Sequence, residues 1–304
     1  MTHDSDGALV GRDEDLGSIE ARFDALASGR GGVVIVEGEP GVGKSAFVDV
    51  VSRRARDRGF EVLGARAWPL SSAVPYESVV AALSRWLRGL EPTRRAALTD
   101  GLAVLGSVVA GIEPDRSALQ LTASSFKVRV HDAIATLLAR AASQAPVLLV
   151  LDDLHWADQA SLEVLGYLAG EADEASLLLV LTSRPVDGID RPEVVQFRRA
   201  LQRGRDRQVR HLGRLTHDDI ASVVARRLGA PATERLVDLV DHRSAGTALA
   251  VVELTDALVE RGAVSFEHGR WHLQHTDIGL PASVAELIAD RLAPTTFSAN
   301  VHPV

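Results

Sequence analysis

Val33-Val34-Ile35-Val36-Glu37-Gly38-Glu39-Pro40-Gly41-Val42-Gly43-Lys44-Ser45-Ala46 changes character twice. It opens as a β-branched run of the kind buried in a parallel sheet. Residues 38–45 then satisfy G-x-x-x-x-G-K-[ST], and a helical pattern runs from Ala46 to about Arg58, closed by Gly59. Strand, glycine loop and helix are the setting in which this motif binds phosphate. The glycines let backbone amides turn inward around phosphate oxygens, where a Cβ would collide or force the wrong φ. In that setting Lys44 reaches the β- and γ-phosphates, the Ser45 hydroxyl ligates Mg²⁺, and the helix adds its N-terminal partial positive charge. Nucleotide contacts are therefore expected from Gly38, Glu39, Pro40, Gly41, Val42, Gly43, Lys44, Ser45 and Ala46. The bland alternative is a glycine turn with an incidental lysine. Against it, only Lys44 and Lys127 among 33 basic residues are lysine, so a lysine here departs from a strong preference for arginine.

The rest of the chain bounds the class. Its 304 residues, 46% hydrophobic and 24% charged, suffice for one large α/β domain and a smaller partner. The absence of cysteine excludes a disulfide framework, a thiolate zinc site and a cysteine nucleophile. A net charge of −8 argues against coating nucleic acid by charge alone. The start, MTHDSDGALV, lacks the basic-then-apolar pattern of a secretory signal. The longest apolar stretch, residues 101–112, falls well short of the ~20 residues that span a bilayer. A cytoplasmic globular protein is expected, with no membrane association.

Residues 61–67 alternate like a second strand. Tyr76, Val79, Val80, Leu83, Trp86, Leu87 and Leu90 have the spacing of an amphipathic helix beginning at Pro75. Phe126, Val130, Ala133, Ile134, Leu137 and Leu138 form a second such stripe, and the Ala- and Leu-rich residues 92–120 between them read as helical. Pro146 opens an apolar strand, residues 147–153, ending on two carboxylates. Residues 158–170 read as a helix, and residues 177–181 as a buried strand running into Thr182-Ser183-Arg184-Pro185. Strands alternating with helices predict a parallel α/β sheet. After Leu212 the pattern turns helical: a capping-box-like start at Thr216-His217-Asp218-Asp219, then helices over 232–242 and 247–261. A hairpin follows over 264–273, a helix over 281–292, and an aperiodic tail.

Asp152 and Asp153 close their strand more than 100 residues beyond the glycine loop. Beside the loop strand, such an end places Asp152 to hold Mg²⁺ through its water shell. Asp153 is a candidate for orienting or polarising an attacking water, with capping of the next helix as its alternative. Arg184, directly after a strand, suits the γ-phosphate oxyanion or else is a surface arginine. The arginine-rich residues 191–214 have no interleaved aromatic ladder, so a solvated face is expected rather than a nucleic-acid surface. His155 and Trp156, taken alone, read as a loop anchor and a packed indole. No His, Asp and Glu spacing points to zinc, and there is no nucleophile elbow.

Leu9-Val10-Gly11-Arg12-Asp13-Glu14-Asp15-Leu16, the glycine loop, and Leu151-Asp152-Asp153-Leu154-His155-Trp156-Ala157-Asp158 together resemble the ATPase module of large ATP-binding LuxR-type transcriptional regulators. That module belongs to the STAND branch of AAA+-related P-loop ATPases and is similar to the origin-recognition-like AAA domain. The resemblance runs from about residue 9 to 292. It implies a sheet of order 5-1-4-3-2 in residues 31–212, behind an N-terminal lead over residues 1–30. It further implies a helical lid in 213–262 and an incomplete winged-helix segment in 263–304. It implies Val10, Gly11 and Arg12 over the adenine and ribose, and functional roles for His155 and Trp156. In the family, bound ADP holds a closed state, and an inducer with ATP exchange opens it, usually toward self-association; hydrolysis is slow and resets the switch. This chain reads Gly246-Thr247-Ala248 where the family usually has Gly-Asn-Pro in the lid. The family also continues into helical repeats and a DNA-binding helix-turn-helix that this chain lacks. The expectation is a shortened relative that does not itself bind DNA.

Overall fold

The computed structural model describes residues 9–68, 74–113, 122–172, 175–185, 191–202 and 206–274. The chain divides into two compact units, residues 1–40 with 44–212 and residues 41–43 with 213–304.

The first unit is a five-stranded parallel sheet between helices. In chain order it holds α1 (Asp13–Ala27), β1 (Gly32–Glu37), α2 (Lys44–Asp57), β2 (Glu61–Arg66), α3 (Glu77–Arg88) and α4 (Pro92–Thr99). There follow α5 (Ala123–Ala142), β3 (Val147–Asp152), α6 (Gln159–Ala172), β4 (Leu177–Ser183), α7 (Pro192–Gln202) and β5 (Arg207–His211). Strands are ordered β2-β3-β4-β1-β5 and every pairing is parallel. Read from the other edge, this is the 5-1-4-3-2 order that the resemblance implies. β1, β3 and β4 are buried along their whole length, which is why they are continuous apolar runs rather than alternating ones. The register sets Ile35 of β1 opposite Leu181 on one side and Val209 on the other.

Several boundaries differ from the sequence expectation for physical reasons. α2 starts at Lys44, so Lys44 and Ser45 lie in its first turn. α3 starts at Glu77, because Tyr76 takes a left-handed φ of 64° and its amide is bound by the Asp158 carboxylate at 2.8 Å. β4 runs on through Thr182 and Ser183. Within residues 92–113 only α4 is α-helical; residues 103–107 form a 3₁₀ turn, and residues 114–121 lie outside the described residues.

The expectation of a solvated arginine face over 191–214 is corrected. Arg198 is buried and bonds the buried Glu37 carboxylate as well as the Arg184 carbonyl. Arg191 donates to the Ala157 carbonyl, Arg207 to the Ala169 carbonyl and Arg210 to the Ser18 hydroxyl. These guanidiniums tie α7 and edge strand β5 to the body of the sheet. Arg199 and Arg214 are exposed, and Arg203 and Arg205 lie outside the described residues.

The second unit packs α8 (His217–Leu228), α9 (Glu234–Ser244) and α10 (Ala248–Glu260) beside the hairpin β6 (Val264–Glu267) and β7 (Arg270–Leu273). Its own core includes Ile220, Val224, Leu236, Val240, Val251 and Leu258. Thr216 and Asp219 make a complete capping box at the start of α8. The helix expected over 281–292 and the tail after it lie outside the described residues. Among the described residues, no helix is long and apolar enough to cross a membrane.

Candidate nucleotide-binding site

β1 carries the chain into the glycine loop and its crossover leads to β2 on one side of the sheet, whereas that of its neighbour β4 leads to β5 on the other. That is the topological switch at which open α/β sheets bind ligands, beyond the carboxyl ends of the strands. Gly41 and Gly43 have φ of 79° and 104°, a region that L side chains rarely adopt, so the loop needs glycine at both positions. Lys44 is 7% exposed. Its ammonium donates to the carbonyls of Gly38 at 2.7 Å and Glu39 at 3.0 Å, and so is folded over its own loop. Burial pulls its pKa below the ordinary lysine value, partly countered by Asp153.

Asp152 ends β3 with its carboxylate buried. Thr182 of β4 donates its hydroxyl to one oxygen at 2.5 Å, and Arg66 at the end of β2 donates to the other from Nε at 2.8 Å and Nη2 at 2.5 Å. The Ser45 side chain lies close enough to favour its charged form. Burial pushes the carboxyl up, but Thr182, Ser45 and Arg66 outweigh it and hold Asp152 below the usual carboxylate range. A buried, ionised carboxylate beside a helix-start hydroxyl is the hard-oxygen donor set that Mg²⁺ takes beside nucleotide phosphates, so the residues fit that ion.

Asp153 follows in a left-handed conformation, φ 61°, with its amide donating to Thr182 at 2.8 Å. Burial and the neighbouring Asp152 charge raise its pKa. Asp153 also precedes the short 3₁₀ turn Leu154–Trp156, but its side chain makes no cap bond there. Arg184 is exposed just beyond β4, near enough for its charge to bear on Lys44, Asp153 and His155. His155 is 8% exposed with neither ring nitrogen hydrogen-bonded among the described residues, and it packs on Trp156 at 5.1 Å. Burial first, then the Arg184 and Lys44 charges, push its pKa down to about 4. The structure therefore brings together Lys44, Ser45, Asp152, Asp153, His155 and Arg184.

Val10 is half-buried, Gly11 has φ 67°, and Arg12 is buried at the N-cap of α1 with Nη1 donating to the Gly11 carbonyl at 3.4 Å. Two structural roles were not foreseen. Arg66 meets Asp152 from 86 residues away, a pairing with no local signal. Asp158 caps α6, accepting from the Ser161 amide and hydroxyl at 2.8 and 2.6 Å, and so anchors the D-D-L-H-W-A-D segment. A carboxylate three residues before a serine at a helix start was the available clue.

A glycine loop between a buried strand and a helix, with a buried lysine and a strand-end aspartate, defines a P-loop nucleotide-binding module. Residues 8–181 match the AAA ATPase domain family, more than half of the chain, and the chain belongs to that family. An uncharacterized protein of Rhizobium meliloti (strain 1021) is 26% identical over 192 residues, which are 59% of this chain and 19% of that protein. The chain thus spans about a fifth of that relative's length. Among solved structures, Drosophila ORC bound to DNA superposes with a TM-score of 0.51 at 16% identity, covering 86% of this chain and 58% of that one. That likeness shows the fold. A Signal Transduction ATPase with Numerous Domains protein from Pyrococcus horikoshii, with a tetratricopeptide repeat sensor, gives a TM-score of 0.44 at 12% identity, covering 82% and 30%.

Proposed function

We propose that this chain is a Mg²⁺-dependent ATP/ADP-binding switch of the STAND type, related to LuxR-type regulators and slow in hydrolysis. The observation that carries this reading is the convergence of Lys44, Ser45 and Asp152 at the carboxyl ends of β1 and β3. Lys44 exchanges its two loop carbonyls for β- and γ-phosphate oxygens. Ser45 and Asp152 hold Mg²⁺, which supplies charge neutralisation along the phosphates when bound. Asp153 orients the attacking water, and Arg184 meets the γ-phosphate. Asp153 is shorter than the glutamate many ATPases use, in keeping with slow turnover. Val10, Gly11 and Arg12 lie over the base and ribose. Residues 213–262 act as the lid, and the hairpin β6–β7 opens a winged-helix segment. The partners are an inducer or protein of unidentified chemistry and, in the ATP state, further copies of the chain, and the setting is cytoplasmic. Titration calorimetry of ATP with Mg²⁺ tests the site: Lys44→Ala is expected to weaken binding by at least about tenfold. Equal affinity in both proteins would end the assignment.

A second reading, a nucleotide-binding module that docks on a partner without turnover, is favoured by one feature. Gly246-Thr247-Ala248 stands where the related lids carry a proline. Phosphate release under saturating Mg-ATP separates the two: turnover lost in Asp153→Asn supports the switch, and none in the wild type supports the docking module.

A further inference from the structure

One oxygen of the Asp152 carboxylate is fully occupied. An ionised carboxylate offers about four lone-pair directions. Here one oxygen accepts two N–H groups of Arg66 and the other accepts Thr182. A metal ion or its water shell therefore reaches the oxygen that Arg66 fills only when Arg66 leaves. Thr182 is fully buried and also receives the Asp153 amide, so it is fixed in the sheet. Arg66 is the exception, with a side chain 41% exposed at the end of edge strand β2. It also has somewhere to go. Its guanidinium already lies 5.8 Å from the centre of the Trp68 ring, itself 59% exposed. Both residues line a groove of about 960 Å³ between α2, β2 and α3 that reaches Asp152.

We propose that Arg66 is a displaceable occupant of the metal carboxylate. It holds the Asp152 carboxylate aimed while no metal is bound, and Mg²⁺ displaces it on entering. The inference rests on Asp152 being the metal carboxylate. Two cations of unit charge or more, drawn to one buried oxygen, repel each other strongly at such separations, so occupancy by one lowers affinity for the other. The Arg66–Asp152 pair thus sets a threshold of metal concentration for nucleotide retention. A guanidinium suits this role better than an ammonium, because its fork engages the carboxylate twice and its planar face is received by an indole when released.

Mn²⁺, used in place of Mg²⁺ and followed by its electron paramagnetic resonance signal in the presence of saturating ADP, reads metal occupancy without any turnover. Arg66→Gln is expected to lower the half-saturating Mn²⁺ concentration by about tenfold, the scale of one charge-assisted bond released. Arg66→Lys keeps the charge and the fold but loses the fork, and is expected to fall between the wild type and Arg66→Gln. Should Arg66→Gln fail to fold, Arg66→Lys alone carries the test: a half-saturation at or above that of the wild type overturns the proposal. If Asp152→Asn impairs Mn²⁺ uptake while the Arg66 variants match the wild type or bind more weakly, Arg66 is a support and not a competitor. If Asp152→Asn takes up Mn²⁺ like the wild type, the metal assignment itself falls and the Arg66 proposal with it.

Discussion

His155 is buried against Trp156 with both ring nitrogens unpartnered among the described residues, and the Arg184 and Lys44 charges add to its cost of ionisation. Its folded pKa of about 4 lies below the ordinary 6.5. Between those values the unfolded ring takes up a proton that the folded ring refuses, so the unfolded state gains as pH falls. The stabilisation is complete above pH 6.5 and is lost progressively on the way down to 4. Urea midpoints measured from pH 7.5 to 4.5 should therefore fall more steeply in the wild type than in His155→Asn, and the His155 ring proton should show no titration at pH 5.5 by NMR. A His155 that titrates near 6.5 would mean that the ring is open to water. Nothing in the string D-D-L-H-W-A-D announces this state, because it arises from burial beside cations contributed by the loop helix and by β4.

Elements in this chain are held by caps and cross-links as much as by apolar stripes. α8 begins with Thr216 accepting the Asp219 amide at 3.2 Å while the Asp219 carboxylate accepts the Thr216 amide at 3.0 Å. Thr216→Ala removes one half of that exchange and should cost about 1 kcal/mol, read as a lowered urea midpoint in far-ultraviolet circular dichroism; Thr216→Ser should stay within a few tenths. That cap was legible, as were β1, β3 and β4, because a buried parallel strand is an unbroken apolar run and a glycine loop has one meaning after it. β5 was not legible from its own residues. Arg207-Gln208-Val209-Arg210-His211 holds a single apolar residue, and what makes it a strand is pairing with β1 and two guanidiniums reaching Ala169 and Ser18. The start of α3 was misplaced for a similar reason: Pro75 is a fair helix opener, but the Asp158 carboxylate takes the Tyr76 amide and sets the first turn at Glu77. Lys44, Ser45 and the Asp pair stand out in the sequence because a motif fixes their spacing and setting. Arg66 was missed because its partner is fixed by the sheet order, which no local pattern states.

At the scale of the molecule, two cores share one chain. The sheet unit is built on residues such as Leu63, Leu149, Leu179 and Ile134, and the helical unit on Ile220, Leu236 and Val251. Two cores predict unfolding that departs from a single two-state transition. A ligand held by Lys44, Ser45 and Asp152 stabilises what it binds by mass action, so its signature is a shift in one transition that scales with ligand concentration. At a hundredfold excess over its dissociation constant, Mg-ADP adds about 2.7 kcal/mol. For a unit of this size that raises the midpoint by roughly 5–10 °C in scanning calorimetry. The same nucleotide without Mg²⁺ should give a smaller shift, since Asp152 then stays with Arg66, and Lys44→Ala should give none at the concentrations used for the wild type. A wild-type midpoint indifferent to Mg-ADP, or a Lys44→Ala midpoint that climbs alongside it, would take the nucleotide away from the head of β1.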